Sequence, residues 1–140
     1  MRKCLSLNVG SGNDDINGIN VDIKRLNRDN YIISTGECLP FRDDSYPIVY
    51  CSHVLEHVAN PIELCREMLR VSSDRVIIKT PHRLWKMFDF NKYHLVKGFS
   101  SSWFGRTFKN YRHKVFVKFG GHIISRPYEV MVIIEKYIKG

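Results

Sequence analysis

The sequence predicts an α/β protein, built as a mostly parallel seven-stranded sheet with a C-terminal antiparallel strand and with its N-terminal crossover helices reduced or missing. Three observations carry this prediction. Strand-like and helical segments alternate in the order βββ-β-α-β-α-ββ. The links between the first three strands are about nine and about seven residues long, short of the dozen or more that a helical crossover needs. The first two strands show one apolar face each, whereas strands covered on both faces read as continuous apolar runs.

The elements follow in order. Cys4–Val9 alternates, with Leu5, Leu7 and Val9 on one side and Ser6 and Asn8 on the other. The turn Gly10-Ser11-Gly12-Asn13-Asp14-Asp15 ends this strand. Ile19–Ile23 alternates again, with Ile19, Val21 and Ile23 expected inside and Asn20 and Asp22 outside. Tyr31–Ser34, Ile48–Cys51 and Val76–Lys79 are short apolar runs that read as strands. Pro61–Val71 is the clearest helix: Asn60 caps it, Pro61 suits its first position, and Glu63 suggests a capping box. Ile62, Cys65, Met68 and Leu69 recur at helical spacing. A shorter helix starts at a Ser100–Ser102 cap and carries Trp103, Phe104, Phe108 and Tyr111. Val115–Phe119 and Val130–Tyr137 then form a strand pair, broken by Gly120-Gly121.

A chain of 140 residues that is 44% hydrophobic suits a single domain over 1–140 with one core. No apolar run approaches the roughly 20 residues of a bilayer span. The first residues lack a signal-peptide core, so a cytoplasmic location is expected. Cys4, Cys38, Cys51 and Cys65 include no CxxC pair, so buried free thiols are expected rather than disulfides or a zinc site, and no metal is expected. The net charge of +8 is uneven: residues 1–65 hold 6 Lys/Arg against 9 Asp/Glu, and residues 66–140 hold 16 against 5. The basic half suits an anionic partner, nucleic acid among them, or a solvated surface.

Leu7-Asn8-Val9-Gly10-Ser11-Gly12 puts a Gly-x-Gly turn directly after a strand, where the backbone approaches a ligand closely. A dinucleotide fingerprint would add a third glycine where Asp15 stands, and an acid about 20 residues on. Asp22 comes too early, which disfavours NAD. Asp22 does end the second strand, where a carboxylate accepts the two hydroxyls of a ribose.

Five segments in register carry a family resemblance across residues 5–82. They are Asn8-Val9-Gly10-Ser11-Gly12; Ile19-Asn20-Val21-Asp22-Ile23; Gly36-Glu37-Cys38-Leu39-Pro40-Phe41-Arg42-Asp43-Asp44-Ser45-Tyr46; Ser52-His53-Val54-Leu55-Glu56-His57-Val58-Ala59-Asn60-Pro61; and Glu67–Val71 with Ile77–His82. Together they resemble the class I S-adenosylmethionine-dependent methyltransferases of the small-molecule and glycan kind, type 11-like, in a reduced form. The resemblance implies a Rossmann-like fold and S-adenosylmethionine at the C-terminal ends of the first, second and fourth strands. Gly10 and Gly12 would line its methionine end, with Asn8, Val9 and Ser11 also binding the cofactor. Asp22 would hold the ribose, with Ile23 against the adenine. Gly36, Glu37 and Cys38 would border the adenine pocket, and Ser52 and His53 would lie near the sulfonium. The sequence departs from the family at Asp14 (usually glycine), Thr35 (often an acid), Tyr46-Pro47 and Ser72-Ser73-Asp74-Arg75.

Methyl transfer to an activated sulfonium asks mainly for alignment, and a base only where the acceptor must lose a proton. His53 and His94 are the candidate bases or acceptor contacts, whereas His57 reads as a loop-stabilising residue. Trp85, Phe88, Phe90 and Tyr93 could wall an acceptor pocket. Two other functions fit the fold: a non-catalytic binding protein, and a nucleic-acid-directed methyltransferase working through the basic half. No Asn-Pro-Pro-Tyr-like motif or Pro-Cys nucleophile supports the latter. A sheet short of covering helices also predicts a homodimer.

Overall fold

The computed structural model describes residues 5–14, 16, 18–83, 92, 94–96, 98–120 and 126–136. Its elements are β1 Ser6–Val9, β2 Gly18–Asp22, β3 Tyr31–Ile33, β4 Tyr46–Ser52, a 3₁₀ turn Leu55–His57, α1 Pro61–Val71, β5 Ser72–Pro81, α2 Ser101–Thr107, β6 Arg112–Gly120 and β7 Arg126–Glu135. The seven strands form one sheet in the order β3-β2-β1-β4-β5-β7-β6. β3, β2, β1, β4 and β5 run parallel, and β7 is antiparallel to both β5 and β6. The expected mixed sheet is therefore present, and the order reverses beside β1, where ligands bind in open α/β sheets. Among the described residues, the links 10–17 and 23–30 hold no helix. No described helix is long and apolar enough to cross a membrane.

The core lies on one sheet face. Leu7, Val9, Val21, Val49, Cys51, Val76, Ile78, Val132 and Ile134 pack there with Leu64, Met68, Phe104 and Phe108. Several details differ from the sequence reading. Ile23 is 75% exposed, while Asn20 is buried and accepts a hydrogen bond from the Asn8 side chain at 3.2 Å. The pair satisfies two buried amides between neighbouring strands, so polar residues occupy the face that alternation assigned to solvent. Leu5 is exposed beyond the end of β1. On α1 the exposed position is Ile62, and Leu64 takes its place in the core. Of the thiols, Cys51 and Cys65 are buried, and burial pushes the Cys65 thiol up to about 12. Cys38 is exposed instead, and Cys4 lies outside the described residues.

The cap of α1 is also shared differently. Asn60 Oδ1 accepts from Glu63 N at 3.2 Å, as expected of an N-cap. The reciprocal bond comes from Glu37, whose Oε1 accepts from Asn60 N at 2.9 Å, and Glu63 pairs with Arg66 instead. At the other end α1 passes straight into β5, without the usual glycine turn: Ser72 N–H donates to Met68 O. Lys136 Nζ donates to Ser72 O at 2.9 Å and to Arg70 O at 3.3 Å, closing carbonyls that the helix leaves open.

Arg70 fixes the segment before β4. Its guanidinium donates to both Glu67 oxygens at 2.6 and 2.8 Å, to Phe41 O at 2.8 Å, to Leu39 O at 3.0 Å and to Asp43 Oδ1 at 2.9 Å. The fork geometry of arginine suits this five-way contact, which no lysine reproduces. The pairing with Arg70 holds the Glu67 carboxyl below its usual range. Arg70→Ala is expected to cost roughly 2–3 kcal/mol, the range for losing partly buried charge-assisted hydrogen bonds. A urea unfolding midpoint lowered at constant slope checks it.

Candidate functional site

The C-terminal ends of β1, β2 and β4 meet at one edge of the sheet. The turn after β1 closes onto β2: Gly10 N and Ser11 N donate to Val21 O at 2.7 and 3.0 Å. Gly12 N donates to Asp22 Oδ2 at 2.7 Å, and Lys24 N donates to Asp22 Oδ1 at 3.0 Å. The two backbone donors orient the carboxylate, and each oxygen keeps a lone pair for a further donor. Gly10 and Gly12 both have positive φ, +68° and +53°. A Cβ on Gly10 would sit 2.2 Å from Val54 Cγ2, so the turn packs directly on the loop after β4. A Cβ on Gly12 would meet nothing within 4 Å.

The other expected cofactor contacts divide. Ile23, beside Asp22, offers an exposed apolar face. The Asn8 and Val9 side chains are buried, leaving their backbone at the strand end for any ligand. Gly36 is needed for packing: a Cβ there would lie 2.5 Å from Leu64 Cδ1 and 2.9 Å from Val9 Cγ1. Glu37 is engaged on Asn60 N, and Cys38 is exposed. Ser52 ends β4 in register with Lys79.

His53 follows β4 with φ +53°, a left-handed conformation uncommon for a non-glycine residue and shared here by Asn30 and Asp44. Its backbone N–H donates to Lys79 O at 2.8 Å, which locks the turn. Its ring lies between two carboxylates: Nδ1 is 3.4 Å from Glu56 Oε1, and Nε2 is 3.0 Å from Glu129 Oε2. Glu129 also forms an ion pair with Lys118 at 2.7 Å. The hydrogen bond to Glu56 raises the His53 pKa above the usual imidazole value, and Glu129 adds to it, against the opposing pull of burial. Burial alone would raise the Glu129 carboxyl, but Lys118 and His53 outweigh it and hold it below its usual range. A raised histidine pKa contributes stability that is complete below about pH 6.5 and fades as pH rises through the folded value.

Glu56 is 1% exposed and is the hub of this end. Thr80 Oγ1 donates to its Oε2 at 3.2 Å. Its backbone carbonyl accepts from Leu95 N at 2.7 Å and Val96 N at 3.1 Å, tying the His94 segment to the 3₁₀ turn. The rings of His94 and His57 then meet edge to face, 4.6 Å between centroids. The structure thus brings His53, Glu56, His57 and His94 together. Sequence reasoning gave no role to Glu56, Glu129 or Lys118. An acid in the run Val54-Leu55-Glu56, beside a core leucine, was the available signal for Glu56. The Lys118–Glu129 pair arises only from the β6–β7 register, and the His53–Glu129 contact only from the alignment of β4, β5 and β7. Trp85, Phe88, Phe90 and Tyr93 lie outside the described residues.

Residues 15–77 match the family model described as a methyltransferase domain. A stretch of 55 residues is 38% identical to an uncharacterized methyltransferase of Mycobacterium tuberculosis (strain H37Rv), covering 39% of this chain and 22% of that one. The corresponding protein of Mycobacterium leprae (strain TN) is 36% identical over 55 residues, 39% of this chain and 20% of its own. The match thus spans about a fifth of these relatives' length. Among solved structures, a SAM-dependent methyltransferase of Thermotoga maritima superposes with a TM-score of 0.74 at 16% identity, over 98% of this chain and 84% of that one. The YcgJ protein of Bacillus subtilis gives 0.73 at 13%, over 95% and 92%. The fold is that of a class I, Rossmann-like methyltransferase. Fold and family match together make this chain similar to methyltransferases, and among the described residues its first two crossovers hold no helix.

Proposed function

We propose that the chain transfers a methyl group from S-adenosylmethionine to an acceptor by in-line displacement. The observation that carries this reading is the Gly10–Gly12 turn folded onto the Asp22 carboxylate at the switch point of the sheet. The residues present fit the cofactor. Ser11 Oγ is buried without a hydrogen-bond partner among the described residues, a cost that a polar ligand group at the turn would remove. Gly12 leaves open space, Asp22 has acceptor capacity for a ribose diol, and Ile23 gives adenine an apolar surface. The bound cofactor supplies an activated methyl group. The chain orients it and the acceptor, and positioning is worth up to about 7–11 kcal/mol.

In this reading Glu56 orients His53 through Nδ1, leaving Nε2 to take a proton from the acceptor in place of its contact with Glu129. His94, held against His57, borders the same end as an acceptor contact. Transfer of label from methyl-labelled cofactor to a panel of glycans, small metabolites, proteins and nucleic acids tests the activity. Incorporation into one class supports the proposal, and none across the panel refutes it in favour of a non-catalytic binding protein. A cytoplasmic setting belongs to the same reading, on the strength of the free thiols Cys38, Cys51 and Cys65.

A homodimer is part of the proposal too. From β4 to β6 the second sheet face carries two cross-strand rows, Tyr50–Ile77–Ile133–Lys114 and Ser52–Lys79–Met131–Phe116, none of them fully buried, whereas Asn8 and Asn20 on the same face of β1 and β2 are buried. A second copy covers such a face with one self-complementary patch. Because Lys79, Lys114 and Lys118 lie on or beside it, self-association is expected to strengthen as salt screens them. Light scattering across a salt series checks this, and a monomer mass at every concentration and ionic strength contradicts it.

A further inference from the structure

We infer that Glu56, His57 and His94 form a site for one divalent transition-metal ion of the zinc class. One ligand atom from each lies within 4.8 Å of the other two. Two imidazole nitrogens and one carboxylate oxygen make a set that suits zinc and its neighbours, and three protein ligands leave a position open for a further oxygen. Exposed acids gathered by chance would not give this mixed set.

Two features show that the cluster is built. First, its parts are held by backbone bonds. The 3₁₀ turn presents Glu56 and His57 side by side in sequence, and both Leu95 N and Val96 N donate to Glu56 O, which anchors His94 over the turn. Second, Glu56 is 1% exposed, yet its described partners are a threonine hydroxyl at 3.2 Å and a half-exposed imidazole at 3.4 Å. Each carboxylate oxygen keeps a second lone pair, on which a cation adds to the charge compensation that His53 begins. With metal–nitrogen bonds of about 2.1 Å, tetrahedral ligands sit about 3.4 Å apart, so the side chains close by roughly an ångström on the ion. His57 is exposed. The cysteine spacing that spoke against a metal does not bear on this site, which uses no cysteine.

The site adjoins His53 through Glu56, at the same strand ends as the Asp22 turn. A role for the ion in holding an acceptor oxygen rests on the methyltransferase reading; ion binding itself does not. The test is calorimetry of the full chain with zinc chloride, paired with cobalt(II) absorption, in a phosphine reductant. One ion per chain is expected, with visible cobalt bands and no thiolate charge-transfer band. His57→Ala and His94→Ala should each weaken binding roughly tenfold or more, at unchanged circular dichroism. Glu56→Gln should do the same; if it unfolds, the two histidine variants decide. Equal affinity in both histidine variants, or a thiolate band, overturns the site. S-adenosylhomocysteine titrated into the same samples without metal tests the cofactor reading separately.

Discussion

Replacing His53 by alanine is expected to lower methyl transfer about 10²–10⁴-fold with little change in cofactor affinity, the span usual for losing a general base. The expectation rests on the Glu56–His53 arrangement, in which a buried carboxylate faces Nδ1 and Nε2 is turned toward Glu129. Below its raised pKa the ring is an imidazolium facing two carboxylates and has no lone pair to offer. Turnover should therefore rise with pH through that value, above the ordinary imidazole range near 6.5. Glu56→Gln removes the main cause of the rise and should move the pH profile toward lower pH. Full turnover in His53→Ala would leave alignment as the whole of catalysis.

Gly10→Ala is expected to cost roughly 2–4 kcal/mol of stability and to abolish cofactor binding, from left-handed strain together with overpacking. The structure gives both causes: φ of +68°, and a Cβ 2.2 Å from Val54 Cγ2. Gly12→Ala is the informative partner. It shares the positive φ, but its Cβ meets nothing within 4 Å, so about 1–2 kcal/mol of strain is expected without collapse of the loop. If the turn cradles the cofactor, Gly12→Ala weakens binding in a protein that still unfolds cooperatively. Thermal melts and titrations of both variants check the pair. Equal melting temperatures would contradict the packing of Gly10 on Val54.

Periodicity and linker length carried most of the fold. Pro61–Val71 was legible because a cap residue, a proline and an apolar repeat agree over its whole length. The lack of a helix among the described residues of the first two crossovers was legible because chain length limits what eight linking residues can build. Asn20 and Ile23 were misplaced because alternation assumes a strand with one wet face, and here Asn8 and Asn20 satisfy one another inside. Glu63 was read as the capping-box acid, while Glu37 makes that bond from a residue 23 positions away in sequence. The Asp22 turn was visible as a local motif. The cluster around Glu56 was not, since it joins the end of β4, the segment at residues 94–96 and β7, and no local pattern encodes that convergence.

The central claim is that the Gly10–Gly12 turn and Asp22 form a cofactor site. Calorimetric titration of S-adenosylhomocysteine into the native chain and into Asp22→Ala tests it most directly. One saturable site is expected in the native chain. A loss of about 1.5–3 kcal/mol is expected in the variant, roughly 10–150-fold in affinity, from removing charge-assisted hydrogen bonds to the ribose. No binding to the native chain, or equal affinity in the two proteins, would contradict it.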